Sequence, residues 1–360
     1  MKKNKKILFI CPYPIGVQAG QRFKYEQHFN YFIDKGYEIN VQPFMDKSLW
    51  NILYKRGYTI KKIYGTIKGY LKRFLLISKI QNYDLIYIFL WVTPFLDLFF
   101  EKIIIKKAKK TIFDLEDNVL IKSRNIINPL TFYLKSVNKT KYLIKNSDII
   151  ISSSKELKLK CNQIAKKNKS FYISPGIDLK RFNRTINYNK SELINIGWTG
   201  TFSSVKYLKE IEPALEYLSK NNIIKFIVIS NHKYINNNID VVNITWNKVT
   251  EIEDLLRIDI GVYPLIDEEW VIGKSGLKAL QYMALGIPTV ASKYGNIIDI
   301  IDHMNDGILI ENKRDWIKYL QKLIYDIKLR KKLGQNSRQK IIKNYTTEII
   351  KDSYLKIFDF

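Results

Sequence analysis

The stretch "WVIGKSGLKALQYMALGIPTVAS" (residues 270–292) reads as a turn, a helix and a strand in succession. Gly286 and Pro288 mark the end of the helix, because a left-handed residue closes a helix and proline cannot continue one. Leu277, Leu280 and Ala284 recur at helical spacing and predict a buried stripe. Ser275 stands where an N-cap would accept a backbone hydrogen bond. Lys274 and Lys278 lie at the helix start, the end whose unpaired N–H groups already carry positive potential. With Gln281 they are spaced by four and three, so they share a face if helical geometry begins early. Gly273 and Gly276 let a ligand approach the backbone closely. Unpaired N–H groups, a positive dipole end and two ammonium groups form a site for a diphosphate. The bland alternative is a surface helix with solvated lysines, and lysine at the unfavourable end speaks against it.

Outward from this unit, the same alternation of apolar strand and amphipathic helix runs along all 360 residues. "KILFIC" (6–11) precedes a helical region to Gly36 with Phe23, Phe29, Phe32 and Ile33 on its apolar stripe. "DLIYIFL", "KTIFDLED" and "SDIIISSS" continue the first half; "ELINIGWTG" (192–200), "IIKFIVIS" and "DIGVYPL" build the second. A helix is expected around Val205–Lys220. Strands alternating with helices imply parallel sheets, here two doubly wound α/β domains of Rossmann-like type facing a central cleft. The expected boundaries are 1–183, 184–345, and a C-terminal helix, 346–360, packing back on the first domain. Ligands of such sheets bind at the carboxyl ends of the strands.

Composition narrows the function. Two cysteines without metal-ligand spacing fit a reducing compartment. The formal net charge of +26 points to a polyanionic partner or to a lysine-rich coding bias. No nucleic-acid-binding signature accompanies the charge. It concentrates in 54–73 and 102–110, where Ile, Tyr and Leu interleave with lysine, as in helices resting on an anionic membrane. The apolar run 84–100 is interrupted by Pro94 and Asp97 and predicts a strand and helix rather than a membrane span.

"SPGIDLKRF" (174–182), "DIGVYPL" (259–265) and "GKSGLKALQYMALGIPTVASKYG" together resemble family 4 of the glycosyltransferases, also called glycosyltransferase group 1. The resemblance runs in order along nearly the whole chain and is strongest from 174 to 312. It implies the GT-B architecture, an acceptor-binding first half, a nucleotide-sugar-binding second half, and transfer with retention and no catalytic metal. The family's two glutamates fall here on Gly273 and Gln281, and Gln281 retains the ability to hydrogen-bond a ribose hydroxyl. The lysine-bearing pattern is similar to cell-surface polysaccharide transferases.

The other expected site residues follow the strand ends. Thr199, Gly200, Thr201 and Lys206 stand where the family places a basic pair, and Ser203 adds a hydroxyl. Gly16 and Arg22 lie in the first βα turn, which lacks the dinucleotide fingerprint. Asp114, Glu116 and Asp117 form an acidic turn in which one carboxylate orients the acceptor hydroxyl or takes its proton; chelation of Mg²⁺ and a dipole-favoured helix start are the alternatives. None of His28, His232 and His303 follows a central strand of the first half. The expected protein is a metal-independent enzyme of the cytoplasmic membrane face, moving sugar from a nucleotide-diphosphate sugar to a glycan or lipid-diphosphate-linked acceptor. An inactive nucleotide-sugar-binding subunit, or a nonenzymatic basic protein binding membrane or nucleic acid, are the rival readings.

Overall fold

A computed structural model describes residues 5–95, 98–116, 119–121, 136–188, 193–220 and 224–359. The chain forms two compact units: Met1–Pro175 with Ile272–Lys274 and Ile350–Phe360, and Gly176–Val271 with Ser275–Ile349.

In the first unit six strands form one parallel sheet: β1 (Lys5–Cys11), β2 (Tyr37–Pro43), β3 (Leu85–Phe89), β4 (Thr111–Leu115), β5 (Ile149–Ser152) and β6 (Ser170–Tyr172). Their order is β2-β1-β3-β4-β5-β6, so the chain reverses direction across the sheet between β1 and β3. Both faces are buried, as a parallel sheet requires. Ile7, Phe9 and Cys11 enter one core, and Leu8 and Ile10 the other, which is the two-residue alternation of a strand. The Thr347–Asp359 helix adds Ile350, Tyr354, Ile357 and Phe358 to the first of these cores. Its Asp352 accepts from the Tyr31 hydroxyl at 2.6 Å, and Asp359 accepts from Tyr37 and from Lys5 at 2.8 Å.

The second unit holds β7 (Ile194–Gly200), β8 (Ile224–Ser230), β9 (Val241–Thr245), β10 (Ile260–Tyr263), β11 (Thr289–Ser292) and β12 (Ile308–Ile310). The order β12-β11-β10-β7-β8-β9, again all parallel, is the Rossmann order, with its switch point between β7 and β10. Trp198 and Trp316 are the largest side chains buried completely.

Two helices differ from their expected form. The region before Gly36 is broken into Ala19–Phe23, a 3-10 turn at Glu26–His28, and Phe29–Asp34, and Ile33 is exposed. The break lets Tyr25 and His28 turn inward as well as the phenylalanines. The helix expected around 205–220 is a 3-10 segment, Phe202–Glu210, followed by Glu212–Ser219, with Pro213 at the start of the second. Among the described residues no helix is long and apolar enough to cross a membrane.

His28 is buried against Phe32 and Tyr354, with ring centroids 6.0 and 5.5 Å away. Burial, with a smaller push from Lys351, lowers its pKa from 6.5 to about 3. Below pH 6.5 the unfolded chain therefore takes up a proton that the folded chain refuses. The stability this neutral ring supports is complete above pH 6.5 and is lost as pH falls towards 3, with a slope of at most about 1.4 kcal/mol per pH unit. Urea unfolding of wild type and His28→Phe at pH 7.5, 6, 5 and 4 should show that stability difference shifting in favour of the variant as pH falls.

Candidate functional site

In the second unit the chain's reversal between β7 and β10 gathers the groups around Lys278. The Leu277–Ala284 helix starts from Gly276, whose φ of 76° is left-handed; Ser275 makes no N-cap, and its carbonyl accepts from Asn296 Nδ2 at 3.2 Å. Gly286, at φ 70°, closes the helix as expected: Gly286 N donates to Met283 O and Ile287 N to Tyr282 O, the Schellman pattern.

Lys278 is in the first turn. Its ammonium lies 5.2 Å from the ring centroids of both Trp198 and Tyr263 and donates to Ser204 Oγ at 3.3 Å. Gly200 makes the arrangement possible. A Cβ there would collide with the Trp198 ring and stand 2.9 Å from Lys278 Cε. The half-buried cation is thus held over two aromatic faces at the carboxyl ends of β7 and β10, where cation–π attraction is worth more than at an exposed site.

Lys274 stands outside the helix. The break at Gly276 leaves it ahead of the helix, and Ile272–Lys274 group with the first unit. There the hydroxyls of Ser153 and Ser154 donate to Gly273 O and Ile272 O, each at 2.6 Å. Leu277 is only half-buried, whereas Gln281 is buried, its amide 3.4 Å from Glu251 Oε1. Glu251 also accepts from Trp246 Nε1 at 3.2 Å and pairs with Arg181 at 2.8 Å. Thr199 is buried, with its amide donated to the Tyr282 hydroxyl at 2.8 Å, and Thr201 and Ser203 join their hydroxyls at 2.9 Å. Lys206 reaches both oxygens of Glu268, at 2.9 and 3.1 Å.

In the first unit the acidic turn divides. Asp114 is fully buried, ion-paired with buried Lys24, and accepts from the Tyr87 hydroxyl at 2.5 Å. Burial raises its pKa, against the opposing pull of Lys24 and Tyr87. This carboxylate has no surface to offer an acceptor, so the role expected of it is corrected to one inside the fold. Glu116, half-buried, lies directly over Gly20, in the space a Cβ at residue 20 would fill. Gly16 N donates to Glu26 at 2.9 Å, and Arg22 is buried. Asp117 lies outside the described residues.

The sequence reading missed Trp198, Tyr263, Ser204, Glu251 and Lys24. Only Gly200 in "GWTG" hinted that something bulky crosses that strand end.

A parallel sheet in this order, with a cation and a helix start at its switch point, defines the second unit as a Rossmann-like domain. Residues 185–340 match the family described as "Glycosyl transferases group 1". A curated relative is the capsular polysaccharide biosynthesis glycosyltransferase CapM of Staphylococcus aureus, 24% identical over 245 residues, which cover 61% of this chain and 63% of CapM. Among solved structures, HepE of Anabaena, in complex with UDP and glucose, superposes with a TM-score of 0.67 at 12% identity, covering 99% of each chain. TarM of S. aureus gives 0.60 at 18% identity, over 80% of this chain and 57% of TarM. The chain thus spans less than two thirds of CapM and of TarM. At these identities the solved structures speak for the fold.

Two substitutions probe these assignments. Gly200→Ala should displace Trp198 and Lys278 and cost roughly 1–3 kcal/mol in urea unfolding, with the near-UV signal of tryptophan changed; an unaltered variant would remove Gly200 from the account. Lys24→Met should cost about 3–5 kcal/mol by leaving Asp114 buried and unpaired, and adding Asp114→Leu should restore most of that loss. A stable Lys24→Met would contradict the structural role of the pair.

Proposed function

We propose that the protein is a retaining glycosyltransferase of family 4 type. It would move a sugar from a nucleotide-diphosphate sugar to a glycan or lipid-diphosphate-linked acceptor in bacterial surface polysaccharide synthesis. The observation that carries this reading is Lys278 at the β7/β10 switch point of a domain matching group 1 glycosyl transferases. UDP and glucose in HepE support a UDP-sugar as the first donor to assay, and the capsular role in CapM's name supports a glycan acceptor. Retention and metal independence rest on the family resemblance, as does work at the cytoplasmic membrane face.

In the transfer, the acceptor oxygen bonds to the anomeric carbon as the bond to the diphosphate breaks, and the acceptor proton must leave. Lys278 and Lys274 are assigned to the charge that develops on the departing diphosphate, where fixed cations act most strongly. Glu116 takes the acceptor role expected of the acidic turn, orienting the hydroxyl or accepting its proton. Gln281, buried beside Glu251, is assigned to the ribose edge of the donor site.

Turnover of UDP-sugars by the purified protein separates an enzyme from a binding subunit or a basic scaffold. Lys278→Ala and Lys274→Ala should each lower transfer by on the order of 10². Glu116→Ala should abolish transfer and leave UDP affinity unchanged. EDTA should have little effect; strict dependence on Mg²⁺ or Mn²⁺ would overturn the metal-independent reading.

A further inference from the structure

The Thr59–Ile77 helix is amphipathic in an inverted sense. On a 3.6-residue turn, Ile60, Ile63, Tyr64, Ile67, Leu71 and Phe74 fall on one side. All six are exposed, Ile60 at 84% and Phe74 at 62%. The opposite side holds the helix to the first unit through its smallest residues. Gly69 leaves room for the Phe44 ring, which a Cβ would approach to 2.6 Å, and Gly65 lies against Leu49. From the same side Arg73, fully buried, donates to Val92 O, Gln42 O and Cys11 O at 2.9, 3.0 and 3.1 Å. The apolar stripe is therefore not a core face that lost its partner; the inward face is complete without it.

Lys61, Lys68 and Lys72 follow one border of the stripe, and the helix contains no acidic residue. Lys68 reaches Asp46 at 2.9 Å, and the other two lysines are exposed or half-buried. A continuous apolar stripe with a cationic border is what a helix lying in a lipid–water interface presents. A second copy of this chain would offer the same lysines and no acid on the helix to meet them. Segment 102–110 differs: in the Phe99–Lys107 helix Glu101 and Ile104 are buried, and lysines are left outside.

We propose that the Thr59–Ile77 helix inserts in the plane of an anionic bilayer, its isoleucine-rich stripe among acyl chains and its lysines at the headgroups. This inference rests on the proposed membrane location and not on the transfer chemistry. It differs from attraction by lysine alone, because ionic strength weakens only the charged part of the contact.

The test uses the full chain with a fluorescent NBD label at Ile67→Cys and, separately, at Lys331→Cys, an exposed position in the second unit. The native Cys11 and Cys161 are fully buried and remain unlabelled. With vesicles containing phosphatidylglycerol, the label at 67 should shift to the blue and be quenched by lipids brominated on their acyl chains, and the label at 331 should do neither. The combined Ile63→Ser, Ile67→Ser and Leu71→Ser variant, with circular dichroism as the folding control, should bind those vesicles roughly tenfold or more weakly. Vesicle binding with no change at 67, or undiminished binding by the variant, would overturn the helix assignment and leave the membrane location standing. No binding to any vesicle would overturn both. A blue shift at 67 that grows with protein concentration in the absence of lipid would assign the stripe to a second copy of the chain instead.

Discussion

Every strand pair in both sheets is parallel, and that constraint organises the rest of the molecule. A parallel strand cannot be reached by a hairpin, so the chain must cross over each time and cover both sheet faces. It also collects the turns after the strands at one edge of each sheet. Where the crossover direction reverses, neighbouring turns separate and leave room between strands. In the second unit that place lies between β7 and β10, and there Lys278 stands over Trp198 and Tyr263. In the first unit it lies between β1 and β3, where Arg73 binds the carbonyls of Cys11 and Val92.

Basic side chains below the surface are held in different ways. Lys24 is sealed with Asp114, and Lys139 lies 3.3 Å from Glu101 with a second bond to the Thr93 hydroxyl at 2.6 Å. Arg73 has carbonyl partners throughout and ties strand ends to the Thr59–Ile77 helix. Each of these arrangements satisfies a buried charge with fixed polar partners. Lys278 is held over the ring faces of Trp198 and Tyr263 and donates to the Ser204 hydroxyl.

The strands were legible because runs such as "KILFIC" and "DLIYIFL" are short, apolar on both faces and alternate with helical segments, as a covered parallel sheet requires. The helix end at Gly286 was legible from its left-handed requirement. The helix start was not. Ser275 has the right chemistry for a cap, yet the chain turns through Gly276, and Lys274 is separated from Lys278 by a backbone conformation that spacing cannot express. The acidic turn was found by composition, but which acid faces inward depends on Lys24, ninety positions away. For 54–73, the lysines were read and the direction of the isoleucines was not. Gly65 and Gly69 decide it, since small residues let the helix approach the unit from their side and push the larger residues outward.

The departure at Gln281 has a local physical reason. The family resemblance expects a glutamate there, but in this protein the side chain points at Glu251, from the Glu251–Leu255 helix. A glutamate at 281 would set two carboxylates within hydrogen-bonding distance in a buried place, with Arg181 the cation paired to that cluster. Like charges so placed would force one to remain protonated. The amide avoids this, because its N–H₂ donates to Glu251 and its oxygen stays able to accept. Glu251 is held in turn by Trp246 and Arg181. Gln281 and Glu251 thus form one hydrogen-bonded unit, in which an amide is compatible with the neighbouring acid and a second carboxylate is not.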